Sequence, residues 1–240
     1  MNRPSTQSPA SHVAVSQLTA VTLTGADERT DIEALVRLAR DYPALEVGLL
    51  YTATPEGRNR YPSLPWLDGA SQALGGRFAL HVCGHSARAE LLNGRAELLR
   101  IISRSRRVQV NGDVGHGELP LLAARVPELI TQFQASRTDL RDDATANHSL
   151  LVDASGGRGV SPSQWERPST SKDVGYAGGL GPDNIGDQLP RIAEVAEGRY
   201  WIDMEGHLRT NDWFDLDKCQ AVLSAIYGDA PASPPGTHPG

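Results

Sequence analysis

The sequence is short of several things at once, and each shortage excludes something. Two cysteines, Cys83 and Cys219, are too few for a disulfide scaffold and are not spaced as metal ligands. Aromatic residues make up only 5% of the chain, so aliphatic side chains must fill most of any core. No apolar run is long enough to cross a membrane. There is no basic block, and the formal net charge is −6, which argues against nucleic acid as the principal partner. A local anion site remains compatible with that charge, because binding depends on nearby groups. No Gly-x-Gly-x-x-Gly follows the first apolar run, which counts against an open dinucleotide-binding sheet. The opening Met1-Asn2-Arg3-Pro4-Ser5 lacks the apolar stretch of a secretory signal, so a cytoplasmic location without membrane partners is expected.

What is present is a recurrence of short apolar runs. They fall at Leu18–Thr24, Leu45–Tyr51, Arg77–Cys83, Arg107–Asn111, Leu129–Phe133, His148–Asp153, Asp173–Ala177 and Tyr200–Glu205. Short apolar strands with room for a helix between them are the pattern of a parallel sheet covered by helices. Asp31–Arg40 carries Ile32, Leu35, Val36 and Ala39 on one side of a helix, and Ala87–Ile102 carries a similar stripe. A further helix opens at Pro182-Asp183-Asn184-Ile185 and runs to about Ala196; the last spans Asp215–Tyr227. The crossover over Arg137–Ala146 is polar and reads as a short helix or a loop. Eight β–α steps in 240 residues predict an α/β chain folded as one (β/α)8 TIM barrel. The expected organisation is a disordered arm over 1–15, the barrel over 16–229 and a disordered tail over 230–240.

A barrel gathers its ligand groups at the C-terminal ends of the strands and in the loops that follow. Gly156-Gly157-Arg158-Gly159 follows the sixth run, and Gly178-Gly179-Leu180-Gly181 follows the seventh, directly before a helix start. Glycines there let backbone N–H groups approach an oxyanion, and a helix N-terminus adds partial positive charge. The competing reading is that they only make tight turns. Asp153 ends the sixth run, placed either to act as a general acid or to cap its own loop. Asp203 and Glu205 share strand parity and suit an amine, a hydroxyl or a loop contact rather than a phosphate. His81 and Cys83 share a face of the third run, with His85 just beyond; they are either a base or nucleophile at the mouth, or core groups. Arg58 and Arg60, in Glu56-Gly57-Arg58-Asn59-Arg60-Tyr61-Pro62, are placed to clamp an anion or to face solvent. Trp66 either closes the pocket or packs against an outer helix.

At these residues the chain resembles the phosphoribosylanthranilate isomerase family. Val108-Gln109-Val110-Asn111-Gly112-Asp113 is similar to the family's V-Q-L-H-G-D/E strand. Leu151-Val152-Asp153 with Gly156-Gly157-Arg158-Gly159 resembles its L-D…G-G-T-G segment, and Ala177-Gly178-Gly179-Leu180 with Pro182-Asp183-Asn184 its A-G-G-L-x-P-x-N segment. Ile202-Asp203-Met204-Glu205-Gly206 is a looser match to V-D-x-S-S-G-V-E, so the likeness runs over roughly residues 105–227. The resemblance implies an Amadori rearrangement of an aminoribose phosphate, a place in tryptophan biosynthesis and no cofactor. It implies Asp153 as the general acid, with phosphate held by Gly157, Arg158, Gly159, Gly178 and Gly179, and Gln109 near the substrate. The family's K-x-C-G start corresponds to Thr22-Leu23-Thr24-Gly25, so Thr24 stands where the family has its base cysteine. His81, Cys83, His85 or Asp27 is then the candidate replacement base. The expected function is an isomerase or lyase acting on a phosphorylated, phosphoribosyl-type small molecule, as a monomer or homodimer. The alternatives are a non-catalytic barrel that binds a phosphorylated metabolite and a metal-assisted lyase or hydrolase on the same fold.

Overall fold

The structure is a computed structural model that describes residues 14–55, 57–155 and 159–228. Eight parallel strands close into a barrel, each paired with its sequence neighbours and the eighth with the first. They are β1 Leu18–Thr24, β2 Leu45–Tyr51, β3 Phe78–Cys83, β4 Arg107–Asn111, β5 Leu129–Gln132, β6 His148–Asp153, β7 Val174–Ala177 and β8 Tyr200–Met204. All eight strands expected from the sequence are present, within a residue of their expected ends. Their outward side chains pack under helices while their inward ones fill the barrel, so both faces are buried and the runs are almost continuously apolar.

The helices around the barrel are α1 Ile32–Asp41, α2 Leu64–Leu74, α3 His85–Leu92, α4 Ala96–Ile102, α5 Glu118–Ala123, α6 Thr138–Arg141, α7 Ile185–Ala196 and α8 Leu216–Tyr227. Asp31 caps α1 by accepting from the Ala34 N–H, and Asp215 caps α8 by accepting from Asp217 and Lys218. The single helix expected over Ala87–Ile102 is two, separated by Asn93-Gly94-Arg95. The polar crossover after β5 forms the short α6. Trp66 lies on α2 and packs against the outer core, not the mouth. Among the described residues no helix connects β6 to β7. Trp165 occupies that layer instead, edge-on to Tyr176 at 6.0 Å and donating from Nε1 to Gln188 Oε1 at 2.8 Å. A two-stranded hairpin, β9 Arg209–Thr210 and β10 Trp213–Phe214, leads into α8.

The barrel interior is layered. A small apolar plug of Ala20, Ile130, Leu151 and Trp201 sits at its centre. Gly175 makes room for the Trp201 indole: a Cβ there would lie 2.0 Å from the ring. Beside the plug is a buried ion pair. Arg107 binds Glu46 through Nε, at 3.2 and 3.1 Å from its two oxygens, and through Nη2. The guanidinium lies 4.7 Å from the Trp201 ring centroid, and Thr22 donates to Glu46 at 3.0 Å. Above this layer the lining becomes polar, which is the floor of the mouth. The expected arm over 1–15 lies outside the described residues except at its last two positions. Ala14 is buried there, its carbonyl accepting from the Tyr200 hydroxyl at 2.9 Å, so the folded body begins before residue 16. The expected tail over 230–240 lies outside the described residues.

Candidate functional site

The C-terminal mouth holds a cavity of about 360 Å³. Every strand from β3 to β8 reaches it. Its lining includes His81 of β3, Gln109 and Asn111 of β4, Gln132 of β5, Asp153 of β6, and Asp203 of β8. Gly159, Gly178, Gly179, Glu205 and His207 come from the loops that follow β6, β7 and β8, and Arg60 reaches in from the β2–α2 loop. These side chains converge because every second residue of a strand points inward, so the last inward position of each strand faces the same opening.

The floor is one hydrogen-bonded network. Thr24 Oγ1 donates to Asp203 Oδ1 at 2.6 Å. Gln109 Nε2 lies 2.9 Å from Asn111 Oδ1, 3.5 Å from Asp203 Oδ2 and 3.4 Å from His81 Nδ1. Asn111 Nδ2 continues the chain to Cys83 Sγ at 3.3 Å. On one wall Arg60 Nη1 donates to Glu205 Oε1 at 2.7 Å. Burial raises the Glu205 carboxyl above its ordinary range; Arg60 pulls it back and Asp203 adds to the rise.

The glycine loops are built by close backbone approach. Gly179 has φ +61°, and a Cβ on it would fall 2.2 Å from the Ser161 nitrogen, so any side chain would push the two loops apart. Asn184 ties them: its Nδ2 donates to Gly179 O at 2.8 Å and to Ser161 Oγ at 3.1 Å, while its Oδ1 accepts from Gly181 N at 3.0 Å. The seam sits at the N-terminal end of α7, where the helix dipole favours an anion. At the end of β6, Asp153 Oδ1 accepts from the N–H and the hydroxyl of Ser155, at 3.1 and 2.8 Å. That contact fixes the carboxylate at the cavity edge beside Gly159 and Gly178.

Of the residues singled out in the sequence, the cavity brings together Asp153, His81, Arg60, Gln109, Gly159, Gly178, Gly179, Asp203 and Glu205. Gly157 and Arg158 lie outside the described residues. Five candidates stand away from the lining. Thr24 is buried beneath Asp203. Cys83 lies behind Asn111, and burial pushes its thiol up to about 11, so it is a protonated thiol near neutral pH rather than a ready base. His85 is exposed at the start of α3 and pairs with Arg88 at 3.2 Å. Arg58 is exposed in its loop. Asp27 is fully buried and accepts from Arg209 at 3.0 Å and from Phe214 N at 2.8 Å, stapling the β9–β10 hairpin.

Sequence reasoning missed three parts of this site. Ser161 carried no signal at all. Asn184 was read as a helix opening and as part of the A-G-G-L-x-P-x-N likeness, without a role in the site, although an Asn before a helix is a capping signal with a side chain able to bridge loops. Tyr61, whose hydroxyl faces Cys83, sits in the segment where only the arginines drew attention. Among the described residues no group of three or more His, Cys, Asp or Glu is placed to hold a metal ion.

No family model matches the chain, and no curated protein matches it. Solved structures do. TrpF from Jonesia denitrificans superposes with a TM-score of 0.63 at 19% identity, over 88% of this chain and 97% of that one. N-(5'-phosphoribosyl)anthranilate isomerase from Pyrococcus furiosus superposes with a TM-score of 0.54 at 14% identity, over 87% and 98%. At these identities the likeness shows a shared barrel fold over the matched part of the chain.

Proposed function

We propose that this barrel is an isomerase of a phosphorylated sugar conjugate, of the aldose-to-ketose type, and a divergent relative of the phosphoribosylanthranilate isomerases. The observation that carries the reading is the order of groups around one cavity. Asp153 ends β6, the Gly178–Gly179 seam follows β7, and Glu205 follows β8, so an anion seat lies between two carboxyl groups. A phosphate on the seam and the α7 N-terminus leaves the sugar spanning from Asp153 to Glu205.

The chemistry then follows from position. Asp153 delivers a proton to the ring oxygen of a ribosylamine 5-phosphate as the C1–O bond breaks and the nitrogen lone pair forms C1=N. Glu205, a carboxyl whose proton affinity burial has raised, takes the proton from C2. Glu205 then returns its proton to C1 of the enaminol while the C2 hydroxyl gives its proton to Asp153, which leaves the C2 ketone and both carboxyl groups as they began. Atoms and charge balance without a cofactor. Thr24, at the position of the resembled family's base cysteine, is a positioning residue that orients Asp203.

The buried Thr24 hydroxyl and the protonated Cys83 favour a second reading, a barrel that binds the phosphorylated ligand without turnover. One experiment separates them. The full chain is incubated with N-phenyl ribosylamine 5-phosphate, and the ketose carbon is followed by NMR. The isomerase reading expects ketose formation, lost by at least 100-fold in Asp153→Asn. Saturable binding with no ketose supports the second reading and overturns the first.

A further inference from the structure

The charge of the cavity is unevenly distributed. β2 and β3 lie across the closed barrel from β6 and β7, so their side of the mouth faces the end of a ligand farthest from the glycine seam. There the described lining carries one arginine or lysine, Arg60. Its guanidinium is already engaged: Nη1 is 2.7 Å from Glu205 Oε1, and Nη2 is 3.9 Å from Asp212 Oδ1. Asp203 stands beside Glu205 on the floor, its oxygens held by Thr24 and Gln109. Asp203 and Glu205 therefore stand together in the described lining, and the one arginine there is shared by Glu205 and Asp212. Apart from Asp153, the other polar side chains of the described lining are the neutral amides Gln109, Asn111 and Gln132, the Ser155 hydroxyl, and the imidazoles of His81 and His207.

From this arrangement we infer that the half of the ligand remote from its phosphate is neutral or amine-bearing, and that the Arg60–Glu205 ion pair rejects a carboxylate there. The inference rests on the phosphate-seat reading above and narrows it to a substrate class. A ligand carboxylate would have to displace Glu205 from Arg60 and then sit beside the like charges of Asp203 and Glu205. A hydroxyl or amine donates to those same oxygens and leaves the ion pair intact. Specificity of this kind works by repulsion as much as by attraction.

The test is calorimetric titration of the full chain with two unreactive ligands. These are 1-phenylamino-1-deoxyribitol 5-phosphate and its counterpart with a carboxylate on the ring, with ribose 5-phosphate as the control. The expected result is at least fivefold tighter binding of the uncharged compound, a gap that narrows as salt is raised. Glu205→Gln, which keeps the size and frees the Arg60 charge, should shift the ratio at least tenfold toward the carboxylated ligand. A gap below fivefold in the unsubstituted protein, or a carboxylated ligand that binds more tightly, overturns the inference while leaving the phosphate seat standing. The first measurement needs no variant, so a misfolded Glu205→Gln does not rescue it. Failure of all three phosphates to bind overturns the phosphate seat and this inference with it.

Discussion

Thr24 and Asp203 lie 179 residues apart in the chain, yet the threonine hydroxyl donates to the aspartate carboxylate at 2.6 Å beneath the barrel mouth. The contact joins β1 to β8 where the barrel closes, because Thr22 and Asp203 are register partners and Thr24 stands one inward position higher. Asp203 is thereby held as a fixed acceptor at the floor of the cavity.

Thr24→Val removes that hydrogen bond with almost no change of shape. A buried carboxylate that loses its donor costs about 2 kcal/mol. Urea denaturation of the variant should show a loss of that order, and calorimetry should show weaker binding of ribose 5-phosphate. Unchanged stability would mean that Asp203 does not depend on Thr24.

The Arg107–Glu46 pair is almost wholly buried, with side-chain exposures of 4% and 1%. Arg107→Met leaves the glutamate charge without its partner and should destabilise the fold by about 3–5 kcal/mol. The double variant Arg107→Met, Glu46→Leu should recover most of that loss, because both desolvated charges are gone. A double variant as unstable as the single one would show that the pair is worth more than its packing volume.

His148 supplies a pH dependence. It is buried at the start of β6, with Nε2 at 2.8 Å from Thr131 Oγ1, and burial lowers its pKa to about 4, with Lys172 adding to the fall. The unfolded chain therefore binds a proton between about pH 6.5 and 4 that the folded one does not. The contribution is complete above pH 6.5 and is lost as pH falls toward 4, by roughly 3 kcal/mol in all. Urea midpoints measured from pH 7 to 4.5 should decline, and His148→Gln should flatten part of that decline.

Gly179→Ala tests the loop seam. The added methyl falls on the Ser161 nitrogen in a left-handed backbone, so the two glycine loops must separate. Ribose 5-phosphate binding should weaken at least tenfold. The control Gly75→Ala, also at positive φ but with no atom within 4 Å of its Cβ, should leave binding unchanged and cost about 1 kcal/mol of stability.

The strands were legible because both of their faces are buried and the sequence writes that as unbroken aliphatic runs. Two helices were not. α2 contains Pro65 and Gly69, and α5 is six residues long with Pro120 inside it, so neither carries a clear apolar stripe. The β9–β10 hairpin has two residues per strand and is held by Asp27 and Arg209, partners 182 positions apart. For the same reason the residue types of the mouth were readable while their pairings were not. Strand parity brings Asp203 and Glu205 to one face, but nothing local shows that Thr24 binds the first and Arg60 the second. The glycine runs marked the loops without revealing that Asn184 ties them together.

The most direct test of the account is a calorimetric comparison of ribose 5-phosphate with ribose, each titrated into the full chain and into Gly179→Ala. The account predicts saturable binding of the phosphate ester, at least tenfold tighter than that of ribose, and loss of that difference in the variant. Equal binding of the two sugars, or a phosphate preference that survives Gly179→Ala, would contradict the assignment of the β6 and β7 loops as the anion seat.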